Sequence, residues 1–344
     1  MNQPRVIRYL LLGLPIGLII TSVIAMFIYY RKDPDADGKL GPHLRRDISR
    51  KELQSHVEVL AKTIGARHMG APDKLKFTVN YIESTLGPAN LGYRVGRHTY
   101  KVNGTDCHNL VLDLPAKGSD RIAEIVLAGA HYDSVATTPG ADDNASGVAA
   151  LMCLAQAFAN TRHQRSLRFV FFANEEPPFF QTDNMGSLVY ARECKKRGDN
   201  IVAMLSLETL GYYSAAKGSQ KAPAGLEAAV PDTGDFLAIV GNVTSQPVVD
   251  TFKSWFAKNS TLPIAGMALP ASVVEQGWSD HWSFWQQGYP AVMVTDTALL
   301  RNPHYHQPTD TVDTLDYDRY TQAVKGIEGV IGELANPRRA AAGK

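Results

Sequence analysis

The sequence predicts an α/β fold: a mixed, largely parallel central sheet flanked by helices and preceded by one transmembrane helix. Three observations carry that prediction. Apolar runs of strand composition alternate with segments of helical periodicity, the pattern of a layered α/β domain. Several of those runs end on a His or an acidic residue, and a long uncharged stretch stands apart near the amino terminus.

That stretch, Tyr9 to Tyr30, carries no charged residue over 22 positions and is flanked by Arg5, Arg8, Arg31 and Lys32. As a helix it would be roughly 33 Å long, enough to cross a bilayer. Ala25 is followed by Met-Phe-Ile-Tyr-Tyr, a poor context for signal cleavage, so residues 9–30 are expected to be an uncleaved single-pass anchor in the lipid bilayer. Residues 1–8 form a short tail before it. Positive charge lies on both sides, and the expected orientation puts the rest of the chain on the non-cytoplasmic side. Residues 31–46, with Asp33, Asp35, Asp37 and several Gly and Pro, read as a linker. Residues 47–337 form the folded domain and 338–344 a tail.

Within the domain, Leu53, Val57, Leu60 and Ile64 predict a helix over Ser49–Ile64, and Leu75, Val79, Ile82 and Leu86 a second over Lys74–Leu86. Tyr93–Val102, Asn109–Leu114 and Val126–Gly129 read as strands. Ala145–Phe158 is a helix, Leu167–Ala173 a strand, Gly186–Arg197 a helix and Ile201–Leu207 a strand. A loop from Ser214 to Gly234 precedes the strand Phe236–Val240 and the helix Val248–Asn259. A Trp/Phe-rich helix after His281, the strand Ala291–Val294 and the helix Tyr317–Leu334 close the domain.

Hydrophobic content of 44% and charged content of 20% allow a sizeable core. With 35 Lys+Arg against 34 Asp+Glu and no long block of either sign, the chain lacks the basic footprint of a nucleic-acid binder. Cys107, Cys153 and Cys194 are too few and too scattered for a disulfide framework or a thiolate zinc site, and are expected to be buried apolar residues.

The chemistry gathers at predicted strand ends. Val126-Leu-Ala-Gly-Ala-His131-Tyr-Asp133-Ser leads through a loop to Gly140-Ala-Asp142-Asp143-Asn-Ala-Ser-Gly147. Glu175-Glu176 follows one strand and Glu208 closes another; Ser279-Asp280-His281 and His304-Tyr305-His306 come later. A parallel sheet would bring the strand-end residues to one edge. A hydrolytic site with two divalent metals needs such groups: about three His or carboxylate ligands per zinc, one carboxylate to bridge, and one more carboxylate to move a proton. Singly, each has a plainer reading. An Asp or Asn caps a helix, a Glu pair sits on a solvated face, a His packs and hydrogen-bonds in a core. The joint pattern favours metal.

Taken together, the set resembles the co-catalytic zinc aminopeptidase family (metallopeptidase family 28) over roughly Leu53 to Leu334. The resemblance rests on His131-Tyr-Asp133-Ser, Pro139-Gly-Ala-Asp142-Asp143-Asn-Ala-Ser-Gly147, Glu175-Glu176, Met185-Gly-Ser187, Ser279-Asp-His281, and His306 ahead of Asp310-Thr311. It implies a zinc-exopeptidase-like fold, two Zn2+ ions and peptide substrates with a free N-terminus. By that resemblance Asp142 would bridge the metals, His131 and Glu208 would complete one site, and Glu176 and His306 the other. Glu175 would be the general base. Asp133 would hold the far nitrogen of His131, and a cis peptide is expected at Asp142–Asp143.

Two departures qualify the likeness. Glu208 stands where many aminopeptidases of the family have Asp, which leaves a carboxypeptidase open. Pro177-Pro178-Phe179-Phe180 replaces the usual Leu-Gly-Leu, as a stiff apolar rim or a buried loop core. A glutaminyl-cyclase-like single-zinc aminoacyltransferase and a non-catalytic ectodomain remain alternatives. The pocket walls are expected from Pro177–Phe180 and Ser214–Gln276.

Overall fold

The computed structural model describes residues 47–87, 93–270 and 272–337. The anchor expected at 9–30, the linker at 31–46 and both tails lie outside the described residues. Among the described residues no helix is long and apolar enough to cross a membrane.

Eight strands form one mixed sheet: β1 (Gly96–Val102), β2 (Thr105–Leu114), β3 (Glu124–His131), β4 (Ser166–Phe172), β5 (Asn200–Glu208), β6 (Leu237–Asn242), β7 (Ile264–Leu269) and β8 (Ala291–Thr295), in the order β1-β2-β4-β3-β5-β8-β6-β7. The middle, β4-β3-β5-β8, is parallel. β1 and β2 add antiparallel strands on one side. On the other, β6 runs antiparallel to β8 and β7 parallel to β6. The sequence reading has no counterpart for β7. Five of its six residues are only half-buried, and Gly266 in its middle weakens the strand signal.

The helices are α1 (Arg50–Val57), α2 (Pro72–Leu86), α3 (Gly147–Phe158), α4 (Gly186–Arg197), α5 (Gln246–Asn259), α6 (His281–Trp285) and α7 (Tyr317–Ala335). The predicted helix over Ser49–Ile64 is α1 followed by a π-helical turn, Glu58–Ile64. Ser49 Oγ accepts from Glu52 N at 3.2 Å and so caps α1, and Pro72 opens α2 where no amide partner is needed. Gly198, at φ +73°, ends α4 in the left-handed conformation.

Both faces of the parallel strands are covered, which is why they read as apolar runs. Along β3, Val126, Ala128 and Ala130 join a core with side chains of α1, α2, α3, α5 and α7. The alternate residues Ile125 and Leu127 join a second core with Tyr190 and Cys194 of α4 and Phe284 of α6. α3 is buried along its whole length, so it has no polar face. His131 pairs with Phe172 and Gly129 with Ser206, so β3, β4 and β5 end at one edge.

Candidate metal centre

That edge receives the chemistry. β3 ends on His131; Glu175 and Glu176 follow β4 by three and four residues; Glu208 is the last residue of β5. The chain then passes Gly140, at φ +62°, where a side chain would meet Asp143 O at 2.3 Å, and enters a buried turn over Ala141–Ser146. The peptide between Asp143 and Asn144 is cis.

Three side chains hold this turn. Asp310 accepts from Asp142 N and Asp143 N at 2.9 and 3.1 Å. Asn144 donates to Leu207 O and accepts from Gly147 N and Thr209 N, tying the turn to the end of β5. Arg67 is fully buried and donates to the carbonyls of Leu60, Gly65, Tyr132, Pro139 and Gly140. Burial pulls its pKa down to about 10 against the pull of Asp310, Asp133 and Asp143. Arg67→Met keeps the stem but strips several buried carbonyls of their donor. Each orphaned group costs about 1–3 kcal/mol, so the variant is expected to lose about 3 kcal/mol or more of unfolding free energy in urea titration. A loss below about 1 kcal/mol would show that water replaces the guanidinium.

The turn places Asp143, not Asp142, between the two imidazoles, so the geometry puts Asp143 where the sequence reading expected Asp142. Asp143 Oδ1 lies 3.3 Å from His131 Nε2 and Asp143 Oδ2 lies 3.0 Å from His306 Nε2. Asp142 faces elsewhere: its carboxylate accepts from Gly211 N at 2.8 Å and Asn302 Nδ2 at 2.7 Å. The cis bond likewise falls one residue later than expected. Glu208 Oε2 lies 3.2 Å from His131 Nε2 and Glu176 Oε2 3.2 Å from His306 Nε2. The result is two metal-binding clusters, His131–Asp143–Glu208 and Asp143–Glu176–His306, that share Asp143. Of the five residues expected to bind metal, His131, Glu176, Glu208 and His306 are gathered here and Asp142 is replaced by its neighbour.

Their electrostatics fit a doubly occupied cation site. Asp143, Glu175, Glu176 and Glu208 are all buried beside only two imidazoles. Burial first, then Asp143, pushes Glu176 up to about 8. Burial also pushes Glu175 well above the carboxylate range, with His131 opposing and Glu208 and Glu176 adding. Burial would lower both imidazoles; Glu175 and Glu208 nevertheless carry His131 well up, and Asp143 and Glu176 carry His306 to about 10. Asp143 Oδ1 and His306 Nε2 are buried with no hydrogen bond. Two divalent cations would offset four carboxylates, and these His and carboxylate donors with a shared bridge suit a dizinc centre.

The remaining candidates take other places. Asp133 accepts from Glu175 N and Glu176 N, both at 3.1 Å, and so orients the Glu pair. His131 Nδ1 hydrogen-bonds the backbone carbonyl of Asp133 at 3.2 Å rather than the expected carboxylate, which is 3.5 Å away. Ser279 Oγ donates to Glu208 Oε2 at 2.7 Å. His281 is buried against Gln276 O, and burial holds its pKa down to about 4. His304 pairs with Thr309 Oγ1. Pro177 and Pro178 are exposed, so that segment is no loop core.

Sequence reasoning missed Tyr305. Its ring stacks on His306 with centroids 3.9 Å apart, and its phenol feels Asp143, Glu176, Glu208 and Glu175. With Glu208 it lines an apolar pocket whose walls include Val240, Leu269, Met293 and Leu300. Adjacency to His306 was the only signal.

The family model "Peptidase family M28" matches residues 109–330. The chain is 34% identical to the uncharacterized protein YfbL of Escherichia coli (strain K12) over 320 residues, covering 90% of this chain and 95% of that one. It is 30% identical to leucine aminopeptidase 1 of Arthroderma otae over 244 residues, 66% of this chain and 58% of that protein. Among solved structures it resembles BSAP, a zinc aminopeptidase from Bacillus subtilis, with a TM-score of 0.66 at 14% identity, over 86% of this chain and 98% of that one. At that identity the likeness is one of fold.

Proposed function

The chain belongs to peptidase family M28 and is a zinc-dependent peptidase of its aminopeptidase-like class, and from that premise we propose that it removes residues from the free amino end of peptides. The observation that carries this reading is the shared position of Asp143 between two clusters, with Glu175 beside His131 and part of neither.

His131, Asp143 and Glu208 would hold one zinc ion, and Asp143, Glu176 and His306 the other. Bound there, zinc supplies Lewis acidity toward the scissile carbonyl and toward water. Glu175 moves the proton. Its backbone is fixed by Asp133, its Oε2 lies 3.8 Å from His131 Nε2, and its raised proton affinity suits it to accept a proton from water and pass it to the leaving amine. Tyr305, stacked on His306 and lining the pocket with Glu208, would supply an O–H donor at that pocket. The apolar pocket beside Glu208 takes the first side chain. Likeness to a leucine aminopeptidase supports that direction. Glu208, longer than the Asp of the resemblance, is braced by Ser279. The uncharged run Tyr9 to Tyr30 supports a single membrane anchor, with the peptidase on the non-cytoplasmic side.

Leucyl amide and its N-acetylated form, beside a peptide acetylated at its amino end with a free carboxylate, test the direction. Only the free amine is expected to react, with activity lost to a chelator and restored by zinc. Cleavage of the acetylated peptide from its carboxyl end would make the protein a carboxypeptidase. Cyclisation of amino-terminal glutamine without hydrolysis would overturn the peptidase reading.

A further inference from the structure

A second grouping of metal-ligating side chains lies outside the centre described above. Glu52 and His56 stand four residues apart on α1, so they share one face of that helix. Cys153 projects from α3 into the same space. One donor atom from each lies within 4.8 Å of the others. His56 is 6% exposed and Cys153 2%, while Glu52 is half-buried. A third helix contributes Tyr81 of α2, whose Oη is 2.6 Å from His56 Nδ1 with the two rings edge to face.

The surroundings make this grouping conspicuous. α1 otherwise meets the core through Leu53 and Val57, beside Val79, Ile82 and Leu151. Placing a carboxylate, an imidazole and a thiol together in such an interface is costly unless they satisfy one another or share a cation.

We propose that Glu52, His56 and Cys153 form a separate structural zinc site that clamps α1 onto α3, with Tyr81 orienting the imidazole. The charges balance. The carboxylate and the thiolate offset a divalent cation, and the thiol proton leaves to solvent as the Cys153–zinc bond forms. Nδ1–H donates to Tyr81 Oη, which leaves on Nε2 the lone pair that ligation needs. A thiolate with an imidazole selects zinc over calcium or magnesium. Three protein donors leave the fourth tetrahedral position to water. This changes the sequence reading of Cys153 from a buried apolar residue to a ligand.

The dizinc centre contains no sulfur donor, which makes the test specific. Protein loaded with cobalt(II) in place of zinc is expected to show a thiolate-to-cobalt charge-transfer band in the near ultraviolet. Cys153→Ala is expected to abolish that band, bind one metal ion fewer per chain, and keep its peptidase activity. Glu52→Gln serves as a second variant should Cys153→Ala fail to fold, with the band weakened and the activity kept. Wild-type cobalt protein without the band overturns the proposal. So does a band that persists in Cys153→Ala, or equal metal content in wild type and variant.

Discussion

Asp143→Asn is expected to lower kcat/KM by at least about 1,000-fold, on the scale at which loss of transition-state charge stabilisation is felt. The substitution keeps the size of the side chain but removes the charge that faces both His131 and His306, at 3.3 and 3.0 Å. Both clusters depend on that group, so the variant is also expected to lose both ions of the centre. Asp142→Asn provides the contrast. That carboxylate accepts from Gly211 N and Asn302 Nδ2 and meets neither imidazole. Its loss should cost about 10–100-fold, as for other groups that brace a metal site, with the ions retained. Steady-state kinetics and metal analysis of the pair decide between them. An Asp142 variant without metal beside an Asp143 variant that keeps it would restore the assignment read from sequence.

Glu175→Gln is expected to lower kcat by about 100- to 10,000-fold while KM and metal content stay near wild type. The reason is positional. Glu175 belongs to neither cluster, yet its carboxylate is buried among their donors and its amide is fixed by Asp133. A glutamine of the same shape leaves that packing in place and cannot take a proton. Turnover within a few-fold of wild type would show that another group moves the proton. Loss of metal would show that Glu175 is a ligand.

The strand ends were legible because buried parallel strands are apolar on both faces, so a His or Glu at the last position stands out against the run before it. His131 and Glu208 could be found that way, and Glu176 as part of the acidic pair shortly after β4. The choice between Asp142 and Asp143 could not. Two adjacent carboxylates have the same spacing to everything else, and which one faces the imidazoles depends on a turn with non-helical dihedrals at Asp143 and Asn144. That turn is set by Asp310 and Arg67, which lie far away in sequence. Nothing local marks Arg67, since its guanidinium bonds only to backbone carbonyls. His306 and His304 were equally hard to rank, and the backbone of His306, at φ +58°, swings it toward Glu176. In the sheet, β7 was hidden for a different reason, as an only half-buried edge strand interrupted by Gly266.

The most direct measurement is anomalous diffraction at the zinc edge from crystals of the zinc-loaded protein. Two peaks are expected on either side of the Asp143 carboxylate, roughly 3.5–4 Å apart, one beside His131 and Glu208 and the other beside Glu176 and His306. A single peak there, or peaks flanking Asp142 instead, would contradict a dizinc centre bridged by Asp143.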